Sequence, residues 1–156
     1  MTFERWLVLQ KLYNDYASSL DDGPLSDWPD FFTEKCLYLI QPRDNYDAGL
    51  PMAVVRCESR GMLQDRVNAV QETIMFEPRY LRHHITNIEA DDASSDEFQA
   101  RANYSVIEVL NDDLPRILSA GRYLDTVVLE NGLLRFKEKR VIYDSVLVPN
   151  SLIYPL

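Results

Sequence analysis

The sequence predicts an α+β chain in which helices come first and a long antiparallel sheet curls around them. Three observations carry this. Apolar residues recur three or four apart in the first half, the period of a helix buried on one face. From Tyr80 onward, strand-like runs alternate with turn compositions. These runs also exceed the roughly 5–6 residues of an average strand, so the sheet must twist and wrap the helices into a cone with an interior pocket.

The first helix is expected from Phe3 to Leu20, with Phe3, Trp6, Leu7, Tyr13, Tyr16, Ala17 and Leu20 on its apolar face. Asp22-Gly23-Pro24 stops it. A short second helix is expected in "SDWPDFF", with Ser26 as cap, Pro29 in the first turn, and Trp28, Phe31 and Phe32 facing inward. A strand at "CLYLIQP" leads into a stretch read as irregular, "RDNYDAGLPMAVVRCESRG". Ser59 then caps a helix in which Leu63, Val67, Val70 and Ile74 share a face. The strands "YLRHHITNIEA", "EFQARANYSVIEVL", "RILSAGRYLDTVVL" and "LLRFKEKRVIYDSVLV" follow as a meander. Asn131-Gly132 is the sharpest turn, because both residues tolerate positive φ.

With 156 residues and 46% hydrophobic content, residues 1–156 can form a single domain around one core. The apolar tail "SVLVPNSLIYPL", broken by Pro149 and Pro155, is expected to extend and dock, with little room left for it on a small domain whose core is already filled. A net charge of −9 with no basic run argues against nucleic acid and anionic membranes as partners. No apolar run approaches the ~20 residues of a membrane span. The start of the chain lacks the uninterrupted apolar core of a signal peptide, so a cytoplasmic protein is expected.

The stretch "RYLRHH" holds both histidines. On a strand, neighbouring side chains point to opposite faces, so His83 and His84 cannot share a metal ion. His83 is expected to be a hydrogen-bonded structural or interface residue. Cys36 and Cys57 lack CxxC spacing and read as buried, reduced thiols. The acidic stretch "EADDASSDE" fails the calcium-loop template and reads as a solvated hairpin loop. No phosphate-binding loop, nucleophile elbow or zinc-protease motif occurs, so no catalytic or metal residue is assigned.

The string "LDDGPLSDWPDFFTEKCLYLIQPRDNYDAGLPMAVVRCESRGMLQDRV", followed by "RHHITN", "GRYLD" and "LRFKEKRVIYDS", resembles the small subunits of bacterial Rieske-type aromatic-ring-hydroxylating oxygenases. "PRDNYDAGLP" and "SRGML.DRV" are its most specific parts, and the resemblance spans nearly the whole chain. It leans toward the branch acting on terephthalate, anthranilate and salicylate. It implies a cystatin-like, nuclear-transport-factor-2-like cone and a partner large subunit, with three copies of each, the large subunit carrying a Rieske [2Fe–2S] cluster and a mononuclear Fe(II). That complex would use electrons from NADH to activate O2 and hydroxylate an aromatic ring. This chain cannot supply those centres, since a Rieske cluster needs two Cys and two His in CxH and CxxH spacing and no His lies near Cys36 or Cys57 in sequence.

The resemblance therefore implies a non-catalytic subunit that positions catalytic large subunits. Expected partner-interface residues are Arg43, Asp44, Asp47, Arg56 and Arg60, together with His83, Ile153 and Tyr154. The alternatives are a stand-alone isomerase or dehydratase of the same cone fold, with His83, Tyr104, Tyr123 and Asp125 as pocket residues, or a small-molecule binding module.

Overall fold

In the computed structural model, which describes residues 2–73, 75–91, 95–147 and 152–156, the first helix is α1, Phe3–Asp21. The Thr2 hydroxyl accepts the Arg5 N–H at 3.3 Å, satisfying a donor that has no partner inside the helix. Leu9, Leu12, Tyr13, Tyr16 and Leu20 form the buried face. The expected stripe began too early: Phe3, Trp6 and Leu7 are 73%, 38% and 46% exposed. Periodicity marks a face, but it does not say how far along the helix its neighbours reach.

A 3-10 helix, Leu25–Phe31, comes next. Its cap position is Pro24, not Ser26; the Pro24 carbonyl accepts the Asp27 N–H at 3.1 Å. Pro29 lies inside it, and a residue without an N–H is better accommodated in a short 3-10 segment than in a longer α-helix. Trp28 and Phe32 are fully buried and Phe31 partly so. Strand β1 is Phe32–Pro42.

The stretch read as irregular contains two elements, helix α2 at Arg43–Asp47 and strand β2 at Val55–Cys57. Helix α3, Arg60–Asn68, starts on Ser59, whose hydroxyl accepts the Met62 N–H at 3.2 Å, and it runs on as a π-helical turn, Ala69–Thr73. Leu63, Val67 and Val70 are buried as expected; Ile74 lies outside the described residues.

Strands β3 (Arg79–Ala90), β4 (Glu97–Leu110), β5 (Arg116–Glu130) and β6 (Leu133–Tyr143) form the expected meander. Asn131 and Gly132 take φ of 53° and 79° in its last turn. The sheet order is β2-β1-β6-β5-β4-β3. It is mixed rather than wholly antiparallel: β1 lies parallel to β6, with Tyr38 opposite Lys139 and Ile40 opposite Val141. Nothing local in the sequence encodes a pairing between strands so far apart along the chain.

Register shifts at Thr86/Glu89, Val106/Ile107 and Thr126/Val127 bend the long strands. Gly121 permits the closest approach. A Cβ there would stand 1.9 Å from the Ile142 carbonyl oxygen, so β5 and β6 can meet this way only without a side chain. The concave face packs on α1, and the core forms between them.

Candidate functional site

Along β3, Leu81 and His83 are buried while Arg82 and His84 are exposed, so the two imidazoles face opposite ways. β3 ends the sheet, and the C-terminal turn of α1 covers its open edge. Asp21 accepts twice from His83: one carboxylate oxygen lies 2.6 Å from Nδ1, and the other takes the backbone N–H at 2.8 Å. Beside it, Arg82 donates to Asp22 at 2.7 Å. Asp21-Asp22 thus ties the helix end to Arg82-His83, closing an edge that would otherwise leave donors free. The His83 side chain is fully buried, and its Nε2 has no partner among the described residues. Its hydrogen bonding is that of a structural residue.

Of the four pocket candidates, the structure brings three together. Tyr104 and Tyr123 stack with centroids 4.6 Å apart and planes 3° apart, and the Tyr104 hydroxyl bonds Ser119 at 2.9 Å. Asp125, two residues after Tyr123 and on the same face, accepts from Tyr13 at 2.6 Å and from Lys139 at 2.9 Å. The Lys139 Nζ lies 3.6 Å from the Tyr123 ring centroid, 4.3 Å from Phe136, 4.7 Å from Tyr16 and 5.1 Å from Tyr13. A buried ammonium is held here by one carboxylate and four ring faces.

Burial decides the protonation of this cluster. It pushes Lys139 down to about 8, against the pull of the Asp125 charge. It raises Asp125, with the Lys139 charge opposing, and it raises Tyr13, Tyr16, Tyr104 and Tyr123. The phenols are therefore hydrogen-bond donors at neutral pH. One Asp125 oxygen, Oδ2, takes both donors, while Oδ1 is buried with no partner among the described residues. Tyr104, Tyr123 and Asp125 are 3%, 0% and 1% exposed, which places them in packed core. Lys139, Tyr13 and Asp21 were missed in the sequence. A lysine at a strand position two before a buried valine was a signal for Lys139, but charge alone argued for the surface.

The segment from Arg43 to Arg60 mixes local pairing with exposure. Arg43 reaches Asp144 at 3.1 Å and Asp47 at 3.7 Å; Arg122 reaches Asp47 at 3.4 Å and lies over Tyr46. Asp44 accepts from the Asn45 N–H, and Arg56 pairs with Glu58 at 2.8 Å. Arg60 is different. Its guanidinium donates to the Phe32 carbonyl and sits 3.6 Å from Glu34, so it fixes the start of β1. Around these charges stand apolar side chains that sequence reasoning passed over: Leu50, Met52, Val54 and Met62 are 53%, 59%, 44% and 43% exposed. A cleft of about 570 Å³ between β2 and α3 lies alongside, with Val54, Met62, Val70, Leu152 and Ile153 in its wall.

The expectation that a single domain has little room for the tail is corrected for its described end, residues 152–156. Ile153 is 8% and Leu156 1% exposed, Arg66 donates to the Leu152 carbonyl at 3.0 Å, and Tyr154 packs edge-on against Phe76. This end is held by Tyr16 of α1, Tyr38 of β1 and Arg66 of α3. Residues 148–151 lie outside the described residues, as do 92–94 of the acidic loop. Among the described residues, no three His, Cys, Asp or Glu side chains come together as a metal site would require.

Residues 16–150 match the family model described as "Ring hydroxylating beta subunit". The chain is 36% identical over 151 residues to the anthranilate 1,2-dioxygenase small subunit of Burkholderia cepacia, covering 97% of this chain and 94% of that one. It is 30% identical over 143 residues to a terephthalate 1,2-dioxygenase terminal oxygenase subunit beta of a Comamonas species, covering 90% and 92%. A crystal structure attributed to the beta subunit of an aromatic-ring-hydroxylating dioxygenase from Novosphingobium aromaticivorans superposes with a TM-score of 0.87 at 36% identity, covering 96% and 95%.

Proposed function

We propose, from the premise that this chain belongs to the ring-hydroxylating beta-subunit family, that its face around Leu50, Met52, Val54 and Met62 seats the large subunit. The chain is a small subunit of an aromatic-ring-hydroxylating dioxygenase with a nuclear-transport-factor-2-like cone, and it is not itself catalytic. Its partner is the large alpha subunit, which carries the Rieske cluster and the iron in such complexes. The residues here do not fit either centre: Cys36 and Cys57 are buried, and the two histidines face apart.

The single observation behind the proposed surface is four exposed apolar side chains on one short segment and the adjoining helix start, rimmed by Arg43, Asp44, Asp47 and Arg56. Apolar centres with charged rims suit protein partners. β2 is also the other sheet edge, three residues long, with one side unpaired in the sheet. The proposal extends to three copies of each subunit, to an aromatic carboxylic acid as substrate class, as the names of the two relatives suggest, and to work in the cytoplasm. No helix among the described residues is long and apolar enough to cross a membrane. The stand-alone dehydratase reading has little support, because Tyr104, Tyr123 and Asp125 are packed and Asp125 is engaged by Lys139.

The test is co-purification with the tagged large subunit. Met52→Asp with Val54→Asp should leave the circular dichroism of the small subunit unchanged and reduce recovery of the complex by about tenfold or more, the loss that ~1.4 kcal/mol produces. Full recovery with both substitutions would remove this face from the interface. Arg60 is left out of the test, since reversing its charge would disturb the start of β1.

A further inference from the structure

We propose that the interior of the cone is a binding chamber for a small apolar compound bearing a carbonyl or carboxylate oxygen, and that Leu156 occupies it in cis. This goes beyond the assembly role; the cleft that leads to it shares Val54 and Met62 with the surface proposed above, so the small subunit by itself is the form to test. The Leu156 backbone oxygen accepts the Tyr16 hydroxyl at 2.7 Å and the Tyr38 hydroxyl at 3.2 Å, while its N–H donates to the Tyr38 oxygen at 3.0 Å. Two phenols from different elements, α1 and β1, thus converge on one oxygen. Burial keeps both protonated, so both are standing donors.

The walls fit an apolar body. The Trp28 ring meets Tyr38 edge-on at 5.2 Å, and Phe32 lies edge-on to both Tyr16 and Tyr38 at 6.4 and 5.9 Å. Polar capacity is left over: the Tyr123 hydroxyl is buried without a partner among the described residues. Core packing alone leaves few such atoms, because an unpaired buried donor costs about 1–3 kcal/mol. A site that exchanges occupants has reason to keep them. An approach also exists, since Leu152 and Ile153, just ahead of the occupant, line the 570 Å³ cleft at the surface. Withdrawal of Leu156 would expose two aligned donors, an aromatic wall and a path to solvent together. The recognised chemistry is an oxygen acceptor on an aliphatic or aromatic group about the size of a leucyl residue.

Benzoate and benzamide are the probes, titrated separately by ligand-observed NMR against the full chain and against a full-length variant with a weakened plug, Ile153→Ser with Leu156→Gly. The variant should bind one of them about tenfold more tightly than the parent, because a plug lowers apparent affinity by the fraction of chambers it closes. Adding Tyr16→Phe and Tyr38→Phe should abolish the gain. Preference for benzoate identifies an anion site and preference for benzamide a neutral one, and either supports the chamber. If the weakened variant does not fold, the parent still decides: saturating probe must speed hydrogen exchange at the Leu156 amide, which Tyr38 otherwise protects. The proposal is overturned if the folded variant binds neither probe, if binding survives loss of both hydroxyls, or if exchange in the parent does not change.

Discussion

Lys139 and Asp125 show how a buried ion pair can cost stability and still be expensive to break. Both are fully buried, and burial shifts each toward its neutral form against the other's charge. Removing one partner strands the other, so Asp125→Ala should destabilise by about 3–5 kcal/mol. Lys139→Met, with Asp125 free to protonate, should cost far less. Equal losses in urea denaturation would count against this account. The pH dependence follows from the sign of each shift. Lys139 is about 8 in the folded chain and near 10.5 unfolded, so the unfolded state binds the extra proton between those values and the lysine's penalty shrinks as pH rises through that window. The parent should therefore gain stability relative to the Lys139→Met variant from pH 8 toward 10.5. The thiols and phenols act the other way. Burial raises Cys36 to about 11 and raises Cys57 and Tyr16 as well, so their ionisation in the unfolded chain lowers stability as pH rises past 9 to 10. A lysine effect that did not vary with pH would sink the burial argument.

At the scale of elements, the curl of the sheet depends on one position without a side chain. Gly121→Ala places a methyl against the backbone of β6, which cannot yield as a flexible side chain would. It should cost about 1–3 kcal/mol or more, read as a fall in melting temperature, and Gly132→Ala in the open β5–β6 turn should cost less. A reversed order would mean that β5 and β6 separate easily. The docked tail is the second case. Deleting residues 152–156 exposes the sites of Ile153 and Leu156, each worth about 1.5–3 kcal/mol when buried, so the domain itself should lose stability. A truncated chain with an unchanged melting temperature would show that the segment adds nothing to its own fold.

For the whole molecule, much of the fold was legible in local patterns, while most of the candidate site was not. The helical period from Tyr13 to Leu20, the Ser59 cap, the four-strand meander and the Asn131-Gly132 turn all follow from interactions within a few residues, and each is where the sequence predicts it. The opposite facing of His83 and His84 follows from the strand period alone. The resemblance carried by "PRDNYDAGLP" and "SRGML" points to the family that residues 16–150 match. Tertiary structure alone decided the parallel pairing of β1 with β6, the seating of Leu156 between Tyr16 and Tyr38, and the burial of Lys139 beside Asp125. It also decided which end of α1 stays exposed and that Arg60 holds the Phe32 carbonyl. The reason is physical: caps, turns and periods are set by bonds that span a few residues. Long-range pairings instead depend on which surfaces remain uncovered once those local elements have packed, and a buried charge persists only where its partner, far away in the chain, arrives with it.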